Sequence, residues 1–197
     1  MLEYLKDSHC TGCFACVQKC PKQCIDIIKD SEGFYIPKIN TENCIHCGLC
    51  QKVCPQINQI ELHEAPTVYA AKMKDAEVLK KSTSGGMFAI MALHILGQGG
   101  VVYGVEMTPE GVVQTVGIEK AEELTRLQGS KYVQAHVGNS YMQAKKQLDG
   151  GRTVLFSGTP CQIAGLYKFL GKDYANLYTM DLVCHGVPSQ ELYSAYR

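Results

Sequence analysis

The chain has 197 residues, 46% hydrophobic and 19% charged, which supplies a core and excludes a disordered segment. Lys plus Arg (19) balance Asp plus Glu (19), and Lys80-Lys81 and Lys145-Lys146 are only short pairs, so nothing here draws nucleic acid or anionic lipid. Residues 1–7 hold no apolar signal core, and the longest apolar run, 87–96 interrupted by His94, falls short of the ~18 residues that span a bilayer. A cytoplasmic protein with no membrane span is expected, its cysteines serving metal or redox chemistry rather than disulfides.

Nine of the eleven cysteines fall between Cys10 and Cys54. Cys10, Cys13, Cys16 and Cys20 are spaced x2, x2, x3 and followed by Pro21. Cys44, Cys47, Cys50 and Cys54 repeat that spacing member for member, followed by Pro55. This is the bacterial two-cluster ferredoxin run. Three cysteines at x2, x2 wrap a loop round one cube, and the fourth ligates the other cube. The expected ligand sets are therefore Cys10, Cys13, Cys16 and Cys54 for one 4Fe-4S cluster, and Cys44, Cys47, Cys50 and Cys20 for the second. Proline after each fourth cysteine fixes φ and turns the chain away. Structural zinc uses two separated Cys/His pairs instead. Cys24 reads as a small buried core residue, and His46 as a surface loop histidine. Short strands are expected at 25–28 and 34–39 around the turn 30–33. So small a domain buries little on its own, and its clusters are expected to hold it together.

Residues 56–66 are polar, end in Ala-Pro and read as a linker, dividing the chain into domains at 1–58 and 66–197. Beyond it, strands are expected at 68–71, 101–106, 112–118, 153–157 and 177–183. Helices are expected at 75–81, 86–97, 120–127, 140–148, 162–170 and from 190 onward. This alternation argues for an α/β layer structure. The fold class is thus an α+β two-cluster ferredoxin domain followed by a partial α/β domain of flavin-binding type. Two of the apolar strands run into loops bearing Cys161 and Cys184. If the strands are parallel, both cysteines lie at the carboxyl edge where open α/β sheets bind ligands. Ser82-Thr83-Ser84-Gly85-Gly86, ahead of a helix, reads either as a phosphate cradle or as a plain N-cap. Gly129-Ser130-Lys131-Tyr132-Val133-Gln134 is a turn with a cation and an aromatic.

In this order, the ferredoxin run, Ser82 to Gly86, Gly129 to Gln134, Gly158-Thr159-Pro160-Cys161-Gln162 and Cys184-His185-Gly186-Val187-Pro188 resemble the coenzyme F-420 hydrogenase/dehydrogenase beta-subunit family over nearly the whole chain. The resemblance implies an iron–sulfur flavoprotein, in which FAD exchanges electrons with the clusters and hydride with a substrate; exposed low-potential clusters suggest an anaerobic setting. Carried over by block, Ser84, Gly85 and Gly86 would cradle FAD phosphate, with Ser82 and Thr83 also in the cofactor site. Lys131, Tyr132 and Gln134 would lie near the flavin, with Gly158, Thr159, Pro160, His185 and Gly186 also lining the cofactor site. Cys161 and Cys184 would serve a possible third 4Fe-4S cluster. The sequence departs from the family at Ala135, where a small hydroxyl residue is usual. It also stops at Arg197, inside an expected helix without capping signal or partner, and so reads as truncated.

Two functions compete. One is a flavin-dependent oxidoreductase subunit with a redox partner protein, flavin being the converter between one-electron clusters and two-electron hydride. The other is a ferredoxin-like wiring subunit without a substrate site. A cluster-based redox sensor is a third reading.

Overall fold

The computed structural model describes residues 10–58 and 67–197. The start of the chain, 1–9, and most of the linker lie outside the described residues. The N-terminal segment consists of α1 (Ala15–Lys19), β1 (Ile25–Lys29), β2 (Tyr35–Ile39) and α2 (Leu49–Lys52). β1 and β2 form an antiparallel hairpin. Its turn is closed by Asp30, whose Oδ1 accepts from the N–H groups of Glu32 and Phe34, both at 2.9 Å.

Next come α3 (Ala76–Lys80), α4 (Met87–Gly97), β3 (Val101–Met107) and β4 (Val113–Ile118). A 3-10 turn, Ala121–Glu123, leads into α5 (Leu124–Leu127) and α6 (Ser140–Asp149). The chain ends with β5 (Val154–Gly158), α7 (Pro160–Leu170), β6 (Leu177–Asp181) and α8 (Gln190–Tyr196). The expected strand at 68–71 is absent. Val68 and Tyr69 are 91% and 82% exposed there, because strand propensity needs a partner edge and none among the described residues reaches them.

One sheet runs β4-β3-β5-β6, with β3, β5 and β6 parallel and β4 antiparallel to β3. Side chains alternate between its faces. Val102 and Leu155 face a core with Ala89, Ala92, Ile95 and Leu96 of α4 and with Leu124 and Leu127 of α5. Val101, Tyr103, Val154 and Phe156 face the other way, onto Tyr141, Ala144 and Leu148 of α6 and Ile163, Leu166 and Phe169 of α7.

That second core continues into the ferredoxin segment. Cys13, Phe14, Ala15, Cys16, Ile25, Cys50 and Val53 all belong to it. Besides any clusters they hold, the cysteine loops are thus also walls of the α/β core. The last helix, expected to lack cap and partner, has both. Ser189 Oγ accepts from Leu192 N–H at 3.1 Å and donates to Glu32 carbonyl at 2.6 Å. Gln190 accepts from Val113 N–H and donates to Gly111 carbonyl. None of the described helices is long and apolar enough to cross a membrane.

Candidate functional site

The two cysteine loops are copies in backbone as well as in sequence. Gly12 and Phe14 have φ of +65° and +58°; their counterparts in the second repeat, His46 and Gly48, have +54° and +74°. Each loop thus turns through the left-handed region twice, which aims its N–H groups inward, an arrangement that receives anionic sulfur. His46 is exposed and serves the second loop through its backbone. Phe14 holds this unfavourable φ while only 1% exposed, its ring set against His136 at 5.7 Å.

Cys10, Cys13, Cys16 and Cys54 line one pocket, together with Thr11, Phe14, Pro37, Pro55 and Gln56. Burial pushes the Cys13 thiol up to about 12 against the Ala15 N–H, and Cys10, Cys161 and Cys54 add to the shift. Burial, followed by the charges of Cys13, Cys10 and Cys54, raises Cys16 as well. Cys10, Cys13 and Cys16, held away from water, resist ionising unless a cation neutralises them, which is the condition an iron–sulfur cube meets. The donor set therefore fits such a group. Among the described residues, no three His, Cys, Asp or Glu side chains converge on a single-ion site. A cube takes its thiolates on separate iron corners.

In the second set, Cys47 is exposed, Cys44 and Cys20 half-buried, and Cys50 buried. Burial raises Cys50, with Cys44 and Cys47 adding. At Cys20, burial raises the pKa, but the backbone N–H and thiol of Cys24 and the N–H groups of Lys22 and Gln23 outweigh it and lower it. Cys24 is buried, as expected, yet its sulfur lies 3.5 Å from that of Cys20. The motif spacing gives no hint of this contact. The signal was the proline turn between the two cysteines, which returns the chain onto its own ligand.

Cys161 and Cys184 each stand three residues past the end of a parallel strand, after Gly158 and Asp181, which pair in register. Both lie at the carboxyl edge. Thr159 and Gln162 form a capping box at the start of α7, with Pro160 in its first turn. Thr159 Oγ1 lies 3.1 Å from Cys161 Sγ. Cys161 is near enough to Cys10 and Cys13 for its charge to raise both. Cys184, His185 and Gly186 lie in an exposed loop.

The other flagged residues divide. The loop carrying Ser82 to Gly86 meets the loop carrying Ser130 and Lys131. Gln128 Nε2 donates to Ser82 Oγ at 2.9 Å, and Ser130 Oγ donates to Thr83 Oγ1 at 3.5 Å. Ser84 has φ +54° and Gly86 +72°, and Gly85 backs onto the Ala71 carbonyl, with no room for a Cβ. Lys131 donates to the Arg126 and Gln128 carbonyls, and burial lowers its pKa. Tyr132 is 75% exposed. Gln134 lies elsewhere, gripping β2: its Oε1 accepts from Tyr35 N–H at 2.7 Å and its Nε2 donates to Tyr35 carbonyl at 3.2 Å. Ala135 is buried with Val113 and Val133, where a methyl suits the surroundings.

Two mirrored thiol loops built into the core of an α/β sheet define an iron–sulfur electron-transfer protein. Comparison agrees. A family model described as a 4Fe-4S dicluster domain matches residues 9–57, and another of that description matches 36–88. The models for the coenzyme F420 hydrogenase/dehydrogenase beta subunit match 68–140 (N-terminal part) and 151–197 (C-terminal part). The chain belongs to the coenzyme F420 hydrogenase/dehydrogenase beta-subunit family.

An F(420)H(2) dehydrogenase subunit of Methanosarcina mazei is 24% identical over 172 residues, covering 81% of this chain and 48% of that protein. The chain thus spans about half the length of that relative. A ketoisovalerate oxidoreductase subunit of Methanothermobacter marburgensis is 32% identical over 57 residues, 28% of this chain and 72% of that protein. A chain of the F420-reducing [NiFe] hydrogenase complex from Methanosarcina barkeri superposes with a TM-score of 0.46 at 20% identity, over 57% of this chain and 42% of that one.

Proposed function

We propose that this chain is an iron–sulfur oxidoreductase subunit carrying two 4Fe-4S clusters, which pass electrons to or from FAD held by residues of the 66–197 domain. The flavin would exchange hydride with coenzyme F420 or another small acceptor or donor. The observation that carries this reading is the packing of the first cysteine loop against α7, the helix whose first turn carries Cys161. Gly165 of α7 leaves room for no more than a hydrogen beside Cys13. A cluster held there sits against the carboxyl edge of the sheet, where cofactors of α/β proteins bind.

The chain's own residues have separable tasks. Cys10, Cys13, Cys16 and Cys54 would hold the inner cluster and exclude water from it. Cys20, Cys44, Cys47 and Cys50 would hold the outer one, where the exposed Cys47 offers an entry point to a partner protein or subunit. Cys161 and Cys184 are candidate ligands for a third cluster. Ser82, Thr83, Ser84, Gly85 and Gly86, backed by Ser130, form the candidate phosphate cradle, and Tyr132 stands free to cover a ring. Flavin supplies the exchange between single electrons and hydride.

A specific observation favours the alternative, a wiring subunit without its own substrate site. Lys131 and Gln134 are engaged in hydrogen bonds within the chain rather than aimed into a shared site. Anaerobic reconstitution, with iron, sulfide and flavin counted per chain, separates the two readings. About eight irons with one FAD supports the oxidoreductase subunit. The same iron with no flavin supports the wiring subunit. Failure to take up iron and sulfide would overturn both.

A further inference from the structure

We infer that Cys24 is a positioning residue of the outer cluster: its thiol donates an S–H···S hydrogen bond to the Cys20 sulfur and raises that cluster's reduction potential. The inference rests on the two-cluster reading above.

Geometry sets a further sulfur, outside the ligand motif, beside the second cysteine set. Gln23 N–H bonds back to the Cys20 carbonyl at 3.2 Å, and Gln23 itself takes φ +48°. A non-glycine residue there is uncommon, and the turn it completes points the next side chain toward Cys20. On the far side, the Cys24 carbonyl accepts from Asn40 N–H at 2.8 Å, which fixes the residue at the foot of the β1–β2 hairpin. Between these anchors Cys24 Sγ lies 3.5 Å from Cys20 Sγ. Cys24 is 5% exposed.

Chemistry then assigns the roles. When Cys20 and Cys44 ligate iron they are thiolates and carry no proton. Cys24, outside the motif, keeps its hydrogen and is the donor. A hydrogen bond to a ligand sulfur withdraws charge and favours the more negative, reduced cluster, which raises the potential.

The inner cluster lacks this device. The counterpart of Cys24 in the second repeat is Asn58, whose Nδ2 donates to the Gln51 carbonyl at 2.7 Å and the Cys54 carbonyl at 3.5 Å. The repeat is therefore asymmetric at this position, so Cys24 shifts the two potentials relative to one another.

The test is an anaerobic redox titration, followed by low-temperature electron paramagnetic resonance, of the reconstituted full chain and its Cys24→Ala and Cys24→Ser variants. A Cys47→Ala variant, expected to lose the outer signal, assigns the two clusters. We expect iron content equal to wild type in both Cys24 variants. The outer midpoint should move to lower potential in Cys24→Ala and return toward wild type in Cys24→Ser, which keeps a donor. The inner midpoint should stay fixed. Unchanged midpoints at full iron content would overturn the inference while leaving the two-cluster reading intact. So would a shift confined to the inner cluster, or loss of half the iron on removing Cys24. A wild-type chain that binds no iron would overturn both.

Discussion

Gln18 shows how much of this fold depends on single residues reaching across the chain. It lies in α1, yet its Oε1 accepts from the N–H groups of Tyr141 and Met142, at 3.0 and 3.1 Å, in the first turn of α6. The N-cap residue of α6, Asn139, makes no side-chain cap of its own. Gln18 therefore performs, from far away in the sequence, the task a local Ser or Asp performs in most helices. Gln18→Ala leaves two donors unmet beside the fully buried Tyr141 and should cost about 1–2 kcal/mol. A thermal melt of the cluster-loaded protein should drop by roughly 2–8 °C; an unchanged melt would show that water takes over the cap. Such residues were the least legible in the sequence. Gln134 reads as part of a cofactor motif, and only the fold reveals its partner to be the distant Tyr35. Cys24 was read rightly as buried, but its neighbours were not foreseen, because spacing rules describe ligands and say nothing of the thiol beside them.

At the scale of elements, the sequence was far more informative. Strand-like segments either side of the turn 108–111 marked β3 and β4, and apolar runs marked β5 and β6. Local patterning controls these elements, so their bounds moved by only a residue or two. It failed at 68–71, where strand-like residues have no neighbouring strand. It also missed the Ser189 cap of α8, whose hydroxyl serves both its own helix and the ferredoxin turn. The junction between α1, α6 and α7 carries the sharpest element-level prediction. A methyl group on Gly165 would come within 2.9 Å of Cys13 Cβ and 3.0 Å of both Cys13 Sγ and Tyr141 Oη. Neither neighbour can give way, since both are packed in the core. Gly165→Ala should destabilise the protein by about 1–3 kcal/mol and displace the first cysteine loop. Iron counted after anaerobic loading should then fall from about eight toward about four per chain. Full iron occupancy in this variant would mean that the loop assembles independently of α7.

For the molecule as a whole, the cysteine loops and the inner face of the sheet share one core. Stripping iron with a chelator should therefore do more than unfold residues 10–58. Hydrogen exchange should rise in α6, α7 and β5, and the tyrosine near-ultraviolet dichroism should weaken; the chain has 11 Tyr and no Trp to mask them. The opposite face, built on α4 and α5, should keep its protection. Exchange that rises only within 10–58 would show two independent folding units instead. The same arrangement bears on biosynthesis. A chain emerges N-terminus first, and the inner site lacks its fourth thiol until Cys54 is made. Tyr141 and Gly165, which close over Cys13, are made much later. Between those moments the thiols stand open to the carriers that deliver iron and sulfide. Insertion belongs in that interval, before the sheet seals the entrance.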